Sequence, residues 1–194
     1  MRRQWTLGQY RGIDLTLFAL MLTASELIIT SAATRWFPEE PYTVSAAAAI
    51  AAIVMMRWGP WAAVHAVLGG VVACFAARAP VRQYLVYGLG NLLCLAGLGV
   101  RKALGGDSLR EDALKTLAYG TCVLLLMQLG RAAIALVLGA SLAEAAGFFA
   151  TDVVSWLFTL LILWIARRQD GILEDQKHYL LRVQKEQEEE KGGV

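Results

Sequence analysis

The chain has 194 residues, of which 57% are hydrophobic and 18% charged, and a formal net charge of +2. Its mean hydropathy of +0.51, with the apolar residues gathered in long runs, points to an integral membrane protein, since soluble domains carry nearer a quarter charged residues. So small a charge argues against a nucleic-acid partner, and spans of about 20 residues each leave only short loops and one tail.

Hydropathy predicts six spans in chain order. The first covers residues 12–34 and is closed by the acidic loop Phe37-Pro38-Glu39-Glu40-Pro41. An alternative as a cleaved signal peptide is weakened by Glu26, which interrupts the apolar stretch. The second span, 42–56, is short and rich in alanine, and Arg57-Trp58-Gly59-Pro60 breaks the chain after it, because proline is confined to a helix's first turn. The third covers 61–77, the fourth 83–100, the fifth 113–138 and the sixth 148–166. The break between the third and fourth, Arg78-Ala79-Pro80, is weak, so five spans with a re-entrant segment is the competing arrangement.

The basic residues set the expected orientation. With the N-terminus inside, inner flanks carry Arg2, Arg3, Arg11, Arg57, Arg101, Lys102, Arg110, Lys115, Arg167 and Arg168, and outer flanks only Arg35, Arg78 and Arg82. That asymmetry places both termini in the cytoplasm. The expected fold is therefore an all-α integral membrane protein with six transmembrane helices over residues 1–168. A charged cytoplasmic tail follows over 169–194. Its residues 169–191 read as one helix, with a narrow apolar stripe of Ile172, Leu173, Tyr179, Leu180 and Val183 that is too short to argue for a coiled coil. A solvated extension of the last span and a docking helix for a cytoplasmic partner both fit the tail.

Motifs for common chemistry are missing from the sequence. It has no GxxxxGK[ST] phosphate loop, no HExxH and no GxSxG, and Gly88-Leu89-Gly90 and Gly97-Leu98-Gly99 lack the third glycine of a dinucleotide fingerprint. Those glycines fit close helix packing instead. Cys74, Cys94 and Cys122 lie in apolar runs without a CxxC pair, and His65 and His178 fall in a span and in the tail. Neither an enzyme nor a metal or other cofactor site is expected.

Charge inside a bilayer costs about 2.5–3.5 kcal/mol per residue on insertion scales. Glu26, Arg131 and Asp152 therefore need a reason, as do the uncharged Asn91, Gln128 and His65. Tyr84, Tyr87 and Asn91 share one helix face at i, i+3 and i+7. Gln128 and Arg131 share a face of the fifth span, and Asp152 and Trp156 lie one turn apart in the sixth. Asn91 lies near the middle of the fourth span with Tyr87 and Tyr84 toward its outer end, the other four sit in the outer halves of their spans, and Trp36 closes the first span on the same side. Converging, these faces would make an outward-facing pocket with aromatic walls and a few fixed polar groups, suited to a small solute. The candidate substrate-binding residues are Trp36, Tyr84, Tyr87, Asn91, Gln128, Arg131, Asp152 and Trp156. Two other readings stand beside this one. The charges would pair only to hold the bundle together, and Trp36, Tyr84 and Trp156 would be interfacial belt residues.

The stretch Arg57-Trp58-Gly59-Pro60-Trp61-Ala62-Ala63-Val64, followed by Leu68-Gly69-Gly70, resembles a GPWxGxxxGxxG-like segment between helices two and three of the substrate-binding S components of energy-coupling factor transporters. The resemblance covers about residues 10–168. It implies a six-helix subunit of the bacterial cytoplasmic membrane that binds a vitamin-like small-molecule substrate near its outer face. The implied partners are a membrane coupling protein and two cytoplasmic ATPase subunits, which would account for a transporter with no ATP loop of its own. The chain departs from the family in its first helix, where Ala19 and Ala24 are five apart instead of forming AxxxA, and in its long charged tail. Rod-shape proteins of the MreD type look similar at this level, so a non-transporting scaffold is the alternative.

Overall fold

The computed structural model describes residues 6–40, 42–169 and 171–192. The expected flanking residues Arg2 and Arg3, the loop residue Pro41 and the last two residues of the tail lie outside them. Among the described residues the secondary structure is entirely helical. The helices are α1 (Leu7–Trp36), α2 (Ala47–Trp58), α3 (Ala62–Ala76), α4 (Val81–Gly90), α5 (Gly97–Ala103), α6 (Ala113–Val137), α7 (Leu142–Thr151), α8 (Val153–Arg167) and α9 (Gln176–Gly192). Short 3-10 turns join α2 to α3, α4 to α5, and α5 to the loop before α6.

Five helical segments are long and apolar enough to cross a membrane: Leu7–Trp36, Ala47–Ala76, Val81–Ala103, Ala113–Val137 and Leu142–Arg167. The second of these is not one rod. Gly59 takes φ +61, a left-handed conformation that glycine adopts without penalty, and Pro60 follows it at the start of the 3-10 turn. The chain folds back there, so that a Cβ on Gly69 would sit 2.6 Å from the Cβ of Ala47. In one straight helix those two residues would be on the order of 30 Å apart. The break expected at Gly59-Pro60 is thus real. A second expected break holds as well: Ala77-Arg78 leaves the helix, Arg78 has φ 53, and Pro80 precedes α4.

Helix α2 is the axis of the bundle, with all but one of its residues buried. Its run of alanines lets α1, α3, α6 and α8 approach closely. Those small residues serve internal packing, leaving no exposed alanine face on α2 for another subunit. Helix α1 is the opposite case. Only Leu22 and Glu26 are buried along it, while Leu17, Leu20, Met21 and Ile28 face outward, as lipid-facing side chains do.

The Arg57-Trp58 motif closes the end of the bundle opposite Trp36. Arg57 donates from Nε and Nη2 to the two carboxylate oxygens of Asp14 at 2.7 and 2.8 Å, and Trp58 Nε1 donates to the same carboxylate at 2.5 Å. Arg57 Nη1 also donates to the carbonyls of Gly171 and Ile172. One guanidinium therefore ties α1, α2 and the segment before α9 together. The helix expected over 169–191 is accordingly interrupted: Gly171 has φ +79, Leu173 is buried in the core, and α9 begins only at Gln176.

Candidate functional site: a polar cavity at one end of the bundle

A cavity of about 410 Å³ opens at the end of the bundle where α1 finishes. Its walls come from Thr30 and Thr34 of α1, from Phe37, Pro38, Glu40 and Tyr42–Ser45 of the following loop, from Gly69, Gly70, Ala73 and Cys74 of α3 with Ala77 just beyond it, and from Gln83 and Tyr87 of α4, Arg131 of α6 and Asp152. Arg131 and Asp152 are its most deeply buried charged groups, and small residues (Ala47, Gly69, Gly70, Ala73) leave the volume open.

Arg131 is the centre of a buried polar cluster. Its Nη1 donates to Asp152 Oδ2 at 2.6 Å, and its Nε donates to Asn91 Oδ1 at 2.7 Å. Its guanidinium carbon lies 4.6 Å from the centre of the Tyr87 ring, an arrangement that stabilises a desolvated cation. Asn91 is fixed in turn, its Nδ2 donating to the Ala66 carbonyl at 2.9 Å. The local sequence makes this possible. A Cβ on Gly90 would lie 2.6 Å from the backbone nitrogen of Arg131, so only glycine lets α4 and α6 touch where Asn91 and Arg131 must meet.

Asp152 sits at a break. Its backbone (φ −92, ψ 11) interrupts the helix between α7 and α8, and the Thr151 carbonyl accepts from the backbone N–H of Thr43 at 2.9 Å. The Thr43 hydroxyl bonds Asp152 Oδ1, and Ser155 Oγ donates to the Thr43 carbonyl at 3.0 Å. Three bonds therefore fasten the Tyr42–Ala46 strip, whose residues Tyr42–Ser45 line the cavity, onto the α7–α8 break.

Glu26 holds the strip's other end. Its Oε1 accepts from Ser45 Oγ at 2.8 Å and from the backbone N–H groups of Ala46 and Ala47 at 2.7 and 3.1 Å. The methyl of Ala46 cannot accept a hydrogen bond to cap α2, so the Glu26 carboxylate from α1 supplies the cap from a distance, with Ser45 Oγ also accepting from the N–H of Ala47 at 3.1 Å. The position suits it, because the N-terminal end of a helix carries partial positive charge.

The expected site residues divide. Tyr87, Arg131 and Asp152 line the cavity, and Asn91 stands directly behind Arg131. Trp36, Tyr84, Gln128 and Trp156 are not on its wall. Trp36 is 70% exposed at the end of α1, and Trp156 Nε1 donates to Thr121 on the outer side of α6 and α8. Gln128 is buried one turn from Arg131 without reaching the cavity. His65 does not line the cavity; its Nε2 donates to the Leu15 carbonyl at 2.9 Å, as a hydrogen-bonding core histidine does. Thr34, Thr43, Ser45 and Gln83 belong to the cavity and were not singled out from sequence. Thr30 and Thr34 recur at i+4 and i+8 from Glu26, a helical-face signal; nothing comparable marks the short strip that carries Thr43 and Ser45.

Among the described residues no three His, Cys, Asp or Glu side chains gather as a metal site requires. Comparison of the chain with protein-family models, with curated proteins and with solved structures finds no match. Fold and cavity together define an all-helical, multi-pass membrane protein with a polar cavity at one end of its bundle.

Proposed function

We propose that this chain is the substrate-capture subunit of a multi-subunit importer, and that the cavity takes up a small metabolite from outside a bacterial cytoplasmic membrane. The observation that carries the proposal is the cavity itself. A volume of about 410 Å³ falls in the range of small-molecule sites, and apolar walls around a few convergent polar groups are the usual make-up of such a site. The end bearing the cavity is the end with few basic residues, which supports an outward opening and cytoplasmic termini. Arg131 and Asp152 offer a donor and an acceptor to the ligand, Tyr87 offers a ring face, and Thr30, Thr34 and Gln83 offer further hydrogen bonds. On binding, Asp152 exchanges its bond to Thr43 for one to the ligand. Movement across the membrane is driven by a membrane coupling protein and two ATPase subunits, because this chain carries no phosphate loop.

The test is purification of the tagged full chain from its native membrane in a gentle detergent, with co-purifying proteins identified by mass spectrometry. Recovery of a membrane protein with two ATPases supports the importer. Recovery of cytoplasmic cell-shape machinery without an ATPase replaces it with the scaffold reading. Truncation after Asp175 is the cleaner tail variant, since removal from residue 169 would also strip buried Leu173 and the partners of Arg57 and Arg101.

A further inference from the structure

A second cavity, of about 300 Å³, lies at the opposite end of the bundle between the end of α5, the Gly106–Arg110 turn and the start of α9. Arg101, Arg110, Arg182 and His178 face it together with Glu174 and Asp175. The two carboxylates are not held alike. Asp175 is firmly engaged, with Arg101 Nη2 at 3.1 Å, His178 Nδ1 at 3.0 Å and the backbone N–H of His178 at 3.1 Å. Glu174 stands between Arg110 at 3.5 Å and Arg182 at 4.0 Å, beyond the roughly 2.7–3.2 Å of a formed hydrogen bond. Among the described side chains, Glu174 is the looser of these two carboxylates and is shared by Arg110 and Arg182.

We infer that this cavity binds a phosphate-bearing anion, held by the forks of Arg110 and Arg182 with His178 beside them. Both arginine side chains are solvent-accessible, at 43% and 64% exposed, so each turns from Glu174 onto a phosphate without breaking a buried contact. A planar guanidinium matches two phosphate oxygens at once, which a carboxylate at 3.5–4.0 Å does not exploit. The site lies at the basic end of the helices, where bundles meet phosphate headgroups of anionic lipids, and soluble phosphate compounds present the same group. Bound phosphate would link the Gly106–Arg110 turn to α9. The inference stands apart from the proposed import function, because none of these residues touches the first cavity.

The test uses the detergent-purified full chain at low salt, where charge pairing is least screened. Inorganic phosphate is titrated calorimetrically. In parallel, native mass spectrometry compares retention of phosphatidylglycerol and phosphatidylcholine. The expected result is preferential retention of the anionic lipid or saturable phosphate binding, reduced about tenfold in Arg110→Gln/Arg182→Gln and only partly in Arg110→Lys/Arg182→Lys, which keeps the charges without the forks. Lipid retention without phosphate binding assigns the site to a headgroup, and the reverse assigns it to a soluble phosphate compound. Equal retention of the two lipids with no phosphate binding, or binding unchanged in the glutamine variant, overturns the inference.

Discussion

Arg131 and Asp152, 3% and 4% exposed, meet at 2.6 Å on the wall of the cavity. Both charges are almost wholly withdrawn from solvent, so each is stabilised chiefly by the other, and Asn91, Tyr87 and Thr43 complete the arrangement. The pair is at once part of the binding surface and part of what joins α6 to the α7–α8 break.

Removing one partner should therefore damage the fold as well as the site. Arg131→Ala or Asp152→Ala is expected to cost about 3–5 kcal/mol, because an uncompensated charge stays buried. The double variant Arg131→Met/Asp152→Leu should recover much of that loss and still lack the polar wall. Unfolding in detergent, followed for the two singles and the double, checks this. Strictly additive losses would mean that the pair is not coupled.

Glu26 should matter as a helix cap. Glu26→Ala leaves the N–H of Ala46 without an acceptor and that of Ala47 with Ser45 Oγ alone, and the expected loss is about 1–3 kcal/mol. Glu26→Gln retains one acceptor oxygen and should lose less. If the two variants unfold alike, the capping role is wrong.

Glycine at position 90 should be irreplaceable where glycine at 99 is not. A Cβ at Gly90 meets the Arg131 backbone at 2.6 Å, whereas at Gly99 nothing lies within 4 Å. Gly90→Ala should destabilise by about 1–3 kcal/mol through forced separation of α4 and α6. Gly99→Ala, at an open helical position, should be neutral or stabilising by up to about 1 kcal/mol. A thermal melt of each variant separates the outcomes, and equal melts would refute the close crossing.

Cys74 reports on the Tyr42–Ala46 strip, because it lines the same cavity. Cys94 is buried elsewhere. With Cys122 replaced by serine, a small thiol reagent should label Cys74 slowly in the parent protein. Labelling should be several-fold faster in Thr43→Val, which loses the hydroxyl bond to Asp152. An unchanged rate would show that Thr43 does not fasten the strip.

The segment before α9 should loosen in acid. Burial raises the Asp175 carboxyl, but the backbone N–H of His178, the Arg101 guanidinium and the His178 side chain more than offset it and hold the group below the ordinary carboxylate range. With the folded value depressed, the contribution to stability is present above the ordinary aspartate value and is lost as pH falls through the folded one. Limited proteolysis across pH should show the segment around Ile172 becoming accessible as the medium is acidified. Asp175→Asn should be more accessible at neutral pH, with a flatter profile. Identical profiles would remove Asp175 from the attachment.

Helical content, membrane character and the breaks at Gly59-Pro60 and Arg78-Ala79-Pro80 were legible in the sequence, because hydropathy and backbone restriction are local properties. Glu26, Arg131 and Asp152 were conspicuous for the same kind of reason, since an ionised side chain in hydrocarbon is costly wherever it lies. Which of them would meet was decided only in three dimensions. Arg131 reaches Asn91 because Gly90 lets α4 and α6 touch, and Asp152 reaches Thr43 because the chain breaks between α7 and α8. Depth along a span brought Trp36, Tyr84, Gln128 and Trp156 to attention, but the wall of a cavity depends on the direction each side chain faces after packing. Helical period relates residues within one helix, whereas the rotation of that helix against its neighbours is set by contacts far apart in the chain.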